Sequence, residues 1–82
     1  MMLLPTQHYS DAQSHNHPNN AFAYNNLGNA LGDQGNLVEA ITNYRTALRV
    51  NPNRTPAENN LQTTIQNNLR IVEQHLAEQQ RR

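Results

Sequence analysis

The sequence contains no cysteine, no tryptophan and no lysine. Without cysteine, neither disulfides nor a thiolate metal site can support the fold, so packing alone must stabilise it. All six basic residues are arginines, and six acidic residues balance them to a formal net charge of zero. This balance lacks the positive excess that nucleic acids and anionic membrane surfaces attract. We therefore expect neither nucleic acid nor membrane as a partner.

Long hydrophobic runs are also absent. The apolar start, Met1 to Leu4, is followed by Pro5 and lacks a basic flank, so it is too short for a signal peptide. No other run approaches the length that crosses a membrane. The sequence thus favours a cytoplasmic protein.

Motifs for catalysis and cofactor binding are missing as well. The carboxylates and histidines are scattered, and no glycine-rich phosphate loop or paired nucleophile and base is evident. His15 and His17 are two neighbouring nitrogen ligands, which is fewer than a closed metal site requires. We expect no enzyme activity, no cofactor and no bound metal.

Residues 1–20 combine histidine, proline and asparagine with few apolar side chains. Such a segment buries too little surface to offset the entropy cost of ordering its backbone. We predict that residues 1–20 are mostly disordered.

A helical hairpin is predicted from residue 21 onward. Tyr24, Leu27 and Leu31 recur on one face of a first helix, which ends near Gly35. Gly35 can adopt the left-handed conformation that closes a helix, and the side-chain oxygen of Asn36 can cap the next one. The second helix is predicted to end before Pro52. Its predicted buried face has six residues: Leu37, Ala40, Ile41, Tyr44, Ala47 and Leu48.

Small residues are placed where the two helices of this hairpin would meet. Gly28, Ala40 and Ala47 allow a close approach of the backbones. Across this seam we expect Tyr24, Leu27 and Tyr44 to interdigitate, which gives Gly28 a packing role.

A third, long amphipathic helix is predicted over residues 55–82. Thr55 and Glu58 match a capping box, and Pro56 suits the first turn. A helix of this length extends beyond the shorter hairpin. Its distal stripe should then be covered by the N-terminal segment or a second chain, unless it is an exposed, fraying end. The whole stripe comprises Leu61, Ile65, Leu69, Val72 and Leu76, of which the last three are distal.

The 34 residues 21–54 resemble one tetratricopeptide repeat. The residues that carry the likeness are Tyr24, Leu27, Gly28, Leu31, Ala40, Tyr44, Ala47 and Pro52. The resemblance implies an all-α fold: one helix-turn-helix hairpin over 21–54, a capping helix over 55–82 and a flexible N-terminus. It also implies a protein-binding role, with the chemistry depending on what the surface carries.

Asparagines determine the predicted binding surface. The run from Tyr24 to Leu31 also resembles repeats of O-linked N-acetylglucosamine transferases, in which an asparagine directly before the leucine binds peptide backbone. That position is Asn26 here and Asn60 one repeat later, and a primary amide can both donate to and accept from a peptide group. We expect these side chains on the exposed side to bind an extended peptide: Phe22, Asn25, Asn26, Asn29, Asn59 and Asn60.

Two alternatives remain open at this stage. The asparagines could simply be solvated while Phe22 covers the helix junction. The chain could instead be a structural protein that forms homo-oligomers through its C-terminal helix, or a piece of a larger repeat array, because isolated repeats are marginally stable.

Overall fold

The structure is a computed structural model that describes residues 18–81, which form three α-helices. They are α1 (Pro18–Asp33), α2 (Leu37–Val50) and α3 (Pro56–Gln80). The predicted all-α fold of a hairpin followed by a long capping helix is confirmed. α1 begins three residues before the predicted start at Ala21, because proline is well tolerated in the first turn of a helix. Of the segment 1–20 that is predicted to be mostly disordered, residues 1–17 lie outside the described residues, and residues 18–20 form the first turn of α1.

The link between α1 and α2 is a tight turn at Gly35, whose φ of 86° confirms the predicted left-handed conformation. The amide of Asn36 then donates to the carbonyl of Leu31 at 2.9 Å. The predicted side-chain cap by Asn36 is wrong: its Nδ2 donates to Oε1 of Gln34 at 3.2 Å, and no cap bond forms. With φ −85° and ψ 71°, this residue lacks the extended backbone typical of an N-cap.

α2 is the central helix, since it packs against both α1 and α3, whereas α1 contacts α3 only over a short stretch. The predicted buried face of α2 is confirmed, with five residues fully buried and Leu48 half-buried. Ile65 and Val72 of α3 complete the same core. The core members from α2 are Leu37, Ala40, Ile41, Tyr44 and Ala47.

Gly28 confirms the close approach of α1 and α2. A Cβ at this position would lie 2.6 Å from Cε1 of Tyr44, well inside van der Waals contact. Tyr44 is itself only 2% exposed, so the aromatic ring occupies the space that a side chain at residue 28 would need.

Leu27 does not join this seam, and its predicted burial is wrong, because the side chain is 48% exposed. The buried residues of α1 are instead Ala21, Asn25 and Gly28. Residues two apart on a helix point about 160° away from each other, so burying Asn25 turns Leu27 outward. The orientation of α1, with its small residues facing inward, thus contradicts two predictions: that Leu27 is buried and that Asn25 is exposed.

The start of α3 has the predicted capping box. The amide of Glu58 donates to Oγ1 of Thr55 at 3.1 Å, while Oε1 of Glu58 accepts from the amides of Thr55 and Arg54. Just before it, the buried Asn51 joins the two helix ends, because its Nδ2 donates to the carbonyl of Glu58 at 3.0 Å. No sequence pattern predicted this contact.

The distal stripe of α3 is covered within the chain. Val72 is buried in the core, and Leu69 and Leu76 are half-buried against it, so the expectation that this stripe needs outside cover is wrong. The reason is that α3 runs back along α2, and the pair Arg45 and Glu73 bridges them at 3.2 Å. Over residues 18–81, no helix combines the length and apolar character needed to cross a membrane.

Candidate functional site

An open groove of about 430 Å³ lies where the three helices meet. We call it the α1–α3 groove, because those two helices form its sides while α2 forms its floor. α1 contributes Asn29, Gly32 and Asp33 to the lining, and α2 contributes Leu37 and Tyr44. The lining residues from α3 are Asn68, Ile71, Val72 and His75.

Tyr44 links the floor of the groove to α1. Its hydroxyl donates to Oδ1 of Asn29 at 2.5 Å. Burial raises the pKa of the Tyr44 phenol, and the negative charge of Asp33 raises it further. Tyr44 therefore keeps its proton and holds the Asn29 amide in one orientation.

Asn25 and Asn68 join the two sides of the groove. Nδ2 of Asn68 donates to Oδ1 of Asn25 at 3.1 Å. Asn25 is only 4% exposed, so its predicted place on the exposed side of α1 is wrong. Because this hydrogen bond is largely shielded from water, the asparagine pair helps to fix the distance between α1 and α3.

The exposed side of α1 next to the groove presents one row of side chains. Phe22, Asn26, Asn29 and Asp33 follow each other at steps of four, three and four residues, which places them along one face. All four are exposed. Three of the predicted site residues therefore share a surface, and Asp33 extends it into the groove.

α3 presents a second row on its side of the groove. Asn60, Asn68, Ile71 and His75 are separated by eight, three and four residues, which also keeps them on one face. Asn60 is exposed at the start of this row, outside the groove lining. Asn59 is nine residues from Asn68, or about half a turn off the row, so it points away from the groove.

The groove offers hydrogen bonds and apolar contact, with little charge. Among residues 18–81, Asp33 is the one lining residue with a carboxylate, and no arginine lines the groove. Ile71 is 53% exposed, so it presents apolar surface that the core leaves uncovered. Carboxamides that can donate and accept, next to an exposed aliphatic side chain, suit an extended polypeptide.

The predicted site residues are therefore divided among three places. Asn29 lines the groove, Phe22, Asn26 and Asn60 lie on rows leading to it, and Asn25 and Asn59 lie elsewhere. Sequence reasoning missed Asp33, Asn68, Ile71 and His75. Counting outward from the buried Ile65 and Val72 would have identified the row on α3, since its members recur at helical spacing.

Groups of three or more potential metal ligands do not occur among residues 18–81. His15 and His17, the pair considered from the sequence, lie outside the part of the chain that the structure describes.

Comparison with known proteins identifies the repeat. The family model for the tetratricopeptide repeat matches residues 21–54, so this segment is a tetratricopeptide repeat with the predicted bounds. The chain is 50% identical over 46 residues to Protein O-mannosyl-transferase TMTC1 of Homo sapiens and to that of Mus musculus. The match covers 56% of this chain but only 5% of the length of each relative. No solved structure matches the chain significantly.

Proposed function

We propose, from the premise that residues 21–54 form a tetratricopeptide repeat, that this chain binds an extended peptide or partner segment in the α1–α3 groove. A tetratricopeptide repeat is in general a protein-interaction module. The peptide-binding role and the site are the parts that we propose. The transferase activity in the relatives' name is not part of the proposal, because the chain spans about 5% of those proteins.

The single observation that carries the proposal is the groove lining that α1 and α3 share, with Asn29 and Asn68 among its residues. An extended peptide in the groove would meet Asn29 and Asn68, and would continue along the two rows to the exposed Asn26 and Asn60. Each primary amide can pair with a peptide group whatever the side chain is. The exposed Ile71 would supply the apolar contact within the groove.

The partner is unidentified, so the test begins with peptides selected from a random library displayed on phage. Chemical shifts of the isotope-labelled protein then report where a selected peptide binds. We expect the largest changes at the side-chain amides of Asn29 and Asn68 and at the methyl groups of Ile71. Shifts confined to residues outside the α1–α3 groove, or a library that yields no binder, would refute the proposal.

A matched pair of variants separates the groove from apolar surface elsewhere. Ile71→Ala removes exposed apolar area inside the groove, whereas Val38→Ala removes it from α2 outside the groove. Both residues are more than half exposed, so both variants should keep the stability of the parent protein within about 0.5 kcal/mol. Ile71→Ala should weaken peptide binding by about tenfold and Val38→Ala should not, as judged by fluorescence anisotropy. Equal effects of the two would contradict a groove site.

The alternative function is self-association. Val72 and Leu76 of α3 pack into the core of the same chain. The C-terminal stripe therefore has less exposed apolar surface for binding a second copy than the sequence suggested. The exposed Leu27 on α1 is the better candidate for such a contact. Light scattering over a range of concentrations, with Leu27→Ser as the variant, tests this alternative: a monomer at every concentration would eliminate it. The cytoplasmic location expected from the sequence stays a prediction.

A further inference from the structure

We propose that the α1–α3 groove recognises an arginine side chain of its peptide partner, with the guanidinium group at Asp33 and the aliphatic stem along Ile71. This inference rests on the proposed function, because it names which peptides the groove selects. It depends on the hydrogen-bonding capacity left in the groove, on its charge and on its apolar wall.

Three groove residues keep acceptor atoms after the hydrogen bonds within the protein are made. Asn68 uses one N–H of its Nδ2 to reach Asn25, so its Oδ1 and a second N–H remain available. The hydroxyl of Tyr44 gives its proton to Asn29, so the Tyr44 oxygen retains lone pairs while the Nδ2 of Asn29 remains a donor. The carboxylate of Asp33 only accepts, and it carries a negative charge. A cation rich in donors therefore complements Asp33, Tyr44 and Asn68.

The charge of the groove favours a cation. Asp33 is exposed, and it has no ion-pair partner within the described stretch 18–81. No arginine from the described part of the chain lines the groove to neutralise it. The proximity of this carboxylate to the groove floor is supported by its effect on Tyr44, whose pKa it helps to raise. A positively charged side chain that enters the groove would thus supply a missing counter-ion.

The shape of the lining favours arginine over lysine. Leu37, Ile71 and Val72 form an apolar wall along which an aliphatic stem can pack. The planar guanidinium carries five donors in a fixed fork, so it can serve Asp33 and a neighbouring acceptor at the same time. His75 adds a flat aromatic ring on which this plane can stack. An ammonium group has three donors at a single point and does not stack in this way.

The experiment uses the full chain and peptides from the random library. We expect the selected peptides to share an arginine next to an apolar residue. Replacing that arginine by citrulline keeps the shape and removes the charge, and should weaken binding by about tenfold. Replacing it by lysine should weaken binding as well, because the fork is lost.

A matched pair of protein variants tests Asp33 directly. Asp33→Asn should weaken binding of the arginine peptide by roughly fivefold and leave the citrulline peptide unaffected. Glu39→Gln makes the same change in net charge at an exposed residue outside the groove, and should leave both affinities unchanged.

The outcomes distinguish this inference from the proposed function. Peptides that bind in the groove without a basic residue, or that tolerate citrulline or lysine at full affinity, would overturn the arginine assignment and leave peptide binding intact. Peptides whose chemical shifts map outside the groove would overturn both. Arginine-dependent binding that Asp33→Asn weakens selectively would support both.

Discussion

Replacing Gly28 by alanine tests the closest approach between α1 and α2. The new Cβ would stand 2.6 and 2.7 Å from Cε1 and Cδ1 of Tyr44, where carbon atoms normally stay about 3.5 Å or more apart. The ring would have to retreat by about 1 Å, although Tyr44 is 2% exposed and tied to Asn29. Overpacking costs about 1–3 kcal/mol, and a clash at 2.6 Å with a ring that is 2% exposed belongs in the upper part of that range, at about 2–3 kcal/mol. Alanine gains about 1 kcal/mol in helix propensity, so we expect a net loss of roughly 1–2 kcal/mol.

Gly32→Ala is the control for this prediction. Its Cβ would lie 3.7 Å from Cγ2 of Val72 and 4.0 Å from Cβ of Ala40, which are ordinary contacts. We therefore expect this variant to gain about 0.5–1 kcal/mol, since the same propensity acts without a clash. Both substitutions replace glycine by alanine within α1, but their effects on the free energy of unfolding should have opposite signs.

Urea and thermal unfolding followed by circular dichroism measure both variants. The loss expected for Gly28→Ala corresponds to a fall in Tm of roughly 4–16 °C for a domain of this size. In a Tyr44→Leu background the ring is absent, so the same substitution should no longer destabilise the protein. A Gly28→Ala variant as stable as the parent, or a penalty that persists without the ring, would refute the packing explanation.

Three further predictions concern stability. Asn51→Ala removes the buried donor that bonds the carbonyl of Glu58, and should lower the free energy of unfolding in urea by about 2 kcal/mol. The control, Asn59→Ala at an exposed residue, should change it by no more than about 0.5 kcal/mol. Equal losses in the two variants would contradict the role of Asn51. Thr55→Ala breaks the capping box and should lower the free energy of unfolding by about 1 kcal/mol, and an unchanged urea midpoint would contradict this. The pKa of Tyr44 is raised in the folded protein, so the unfolded chain loses this proton first and stability should fall as pH rises above about 10. Tyr44→Phe should reduce that fall in an unfolding series at alkaline pH, and a fall of the same size in the variant would contradict the assignment.

Local signals in the sequence predicted most of the fold. Thr55, Pro56 and Glu58 specify the start of α3 through contacts within four residues, and Gly35 specifies the end of α1 through its own backbone. The apolar stripe on α2 could be predicted equally well, because a central helix that packs against two neighbours has a clear helical periodicity of apolar residues. Asn36 was misjudged because its backbone is not extended, so its side-chain oxygen does not cap α2, and no start signal reveals this geometry.

The candidate site could be predicted only in part, because it depends on how helices are rotated against one another. Asn26 was found from a family position and Asn29 from its helical spacing, and both lie on the row of α1 beside the groove. Asn68 and Ile71 hold no position that the family pattern marks, and they lie in α3, outside the repeat. The role of Asn68 follows from its contact with Asn25, which is 43 residues away in sequence, and that of Ile71 from its place in the same groove lining.

The rotation of α1 has a cause that the sequence does contain. Ala21, Gly28 and Gly32 recur at steps of seven and four, which places both glycines of α1 and one of its three alanines on one row. A row of small side chains lets a neighbouring backbone come close, so burial follows this row more than it follows the largest apolar residues. Asn25 lies on it, between Ala21 and Gly28, and is buried for that reason, with Asn68 satisfying its oxygen. Leu27 lies on the far side of α1 and remains exposed, and Asn29 and Asp33 are turned to the groove by the same rotation.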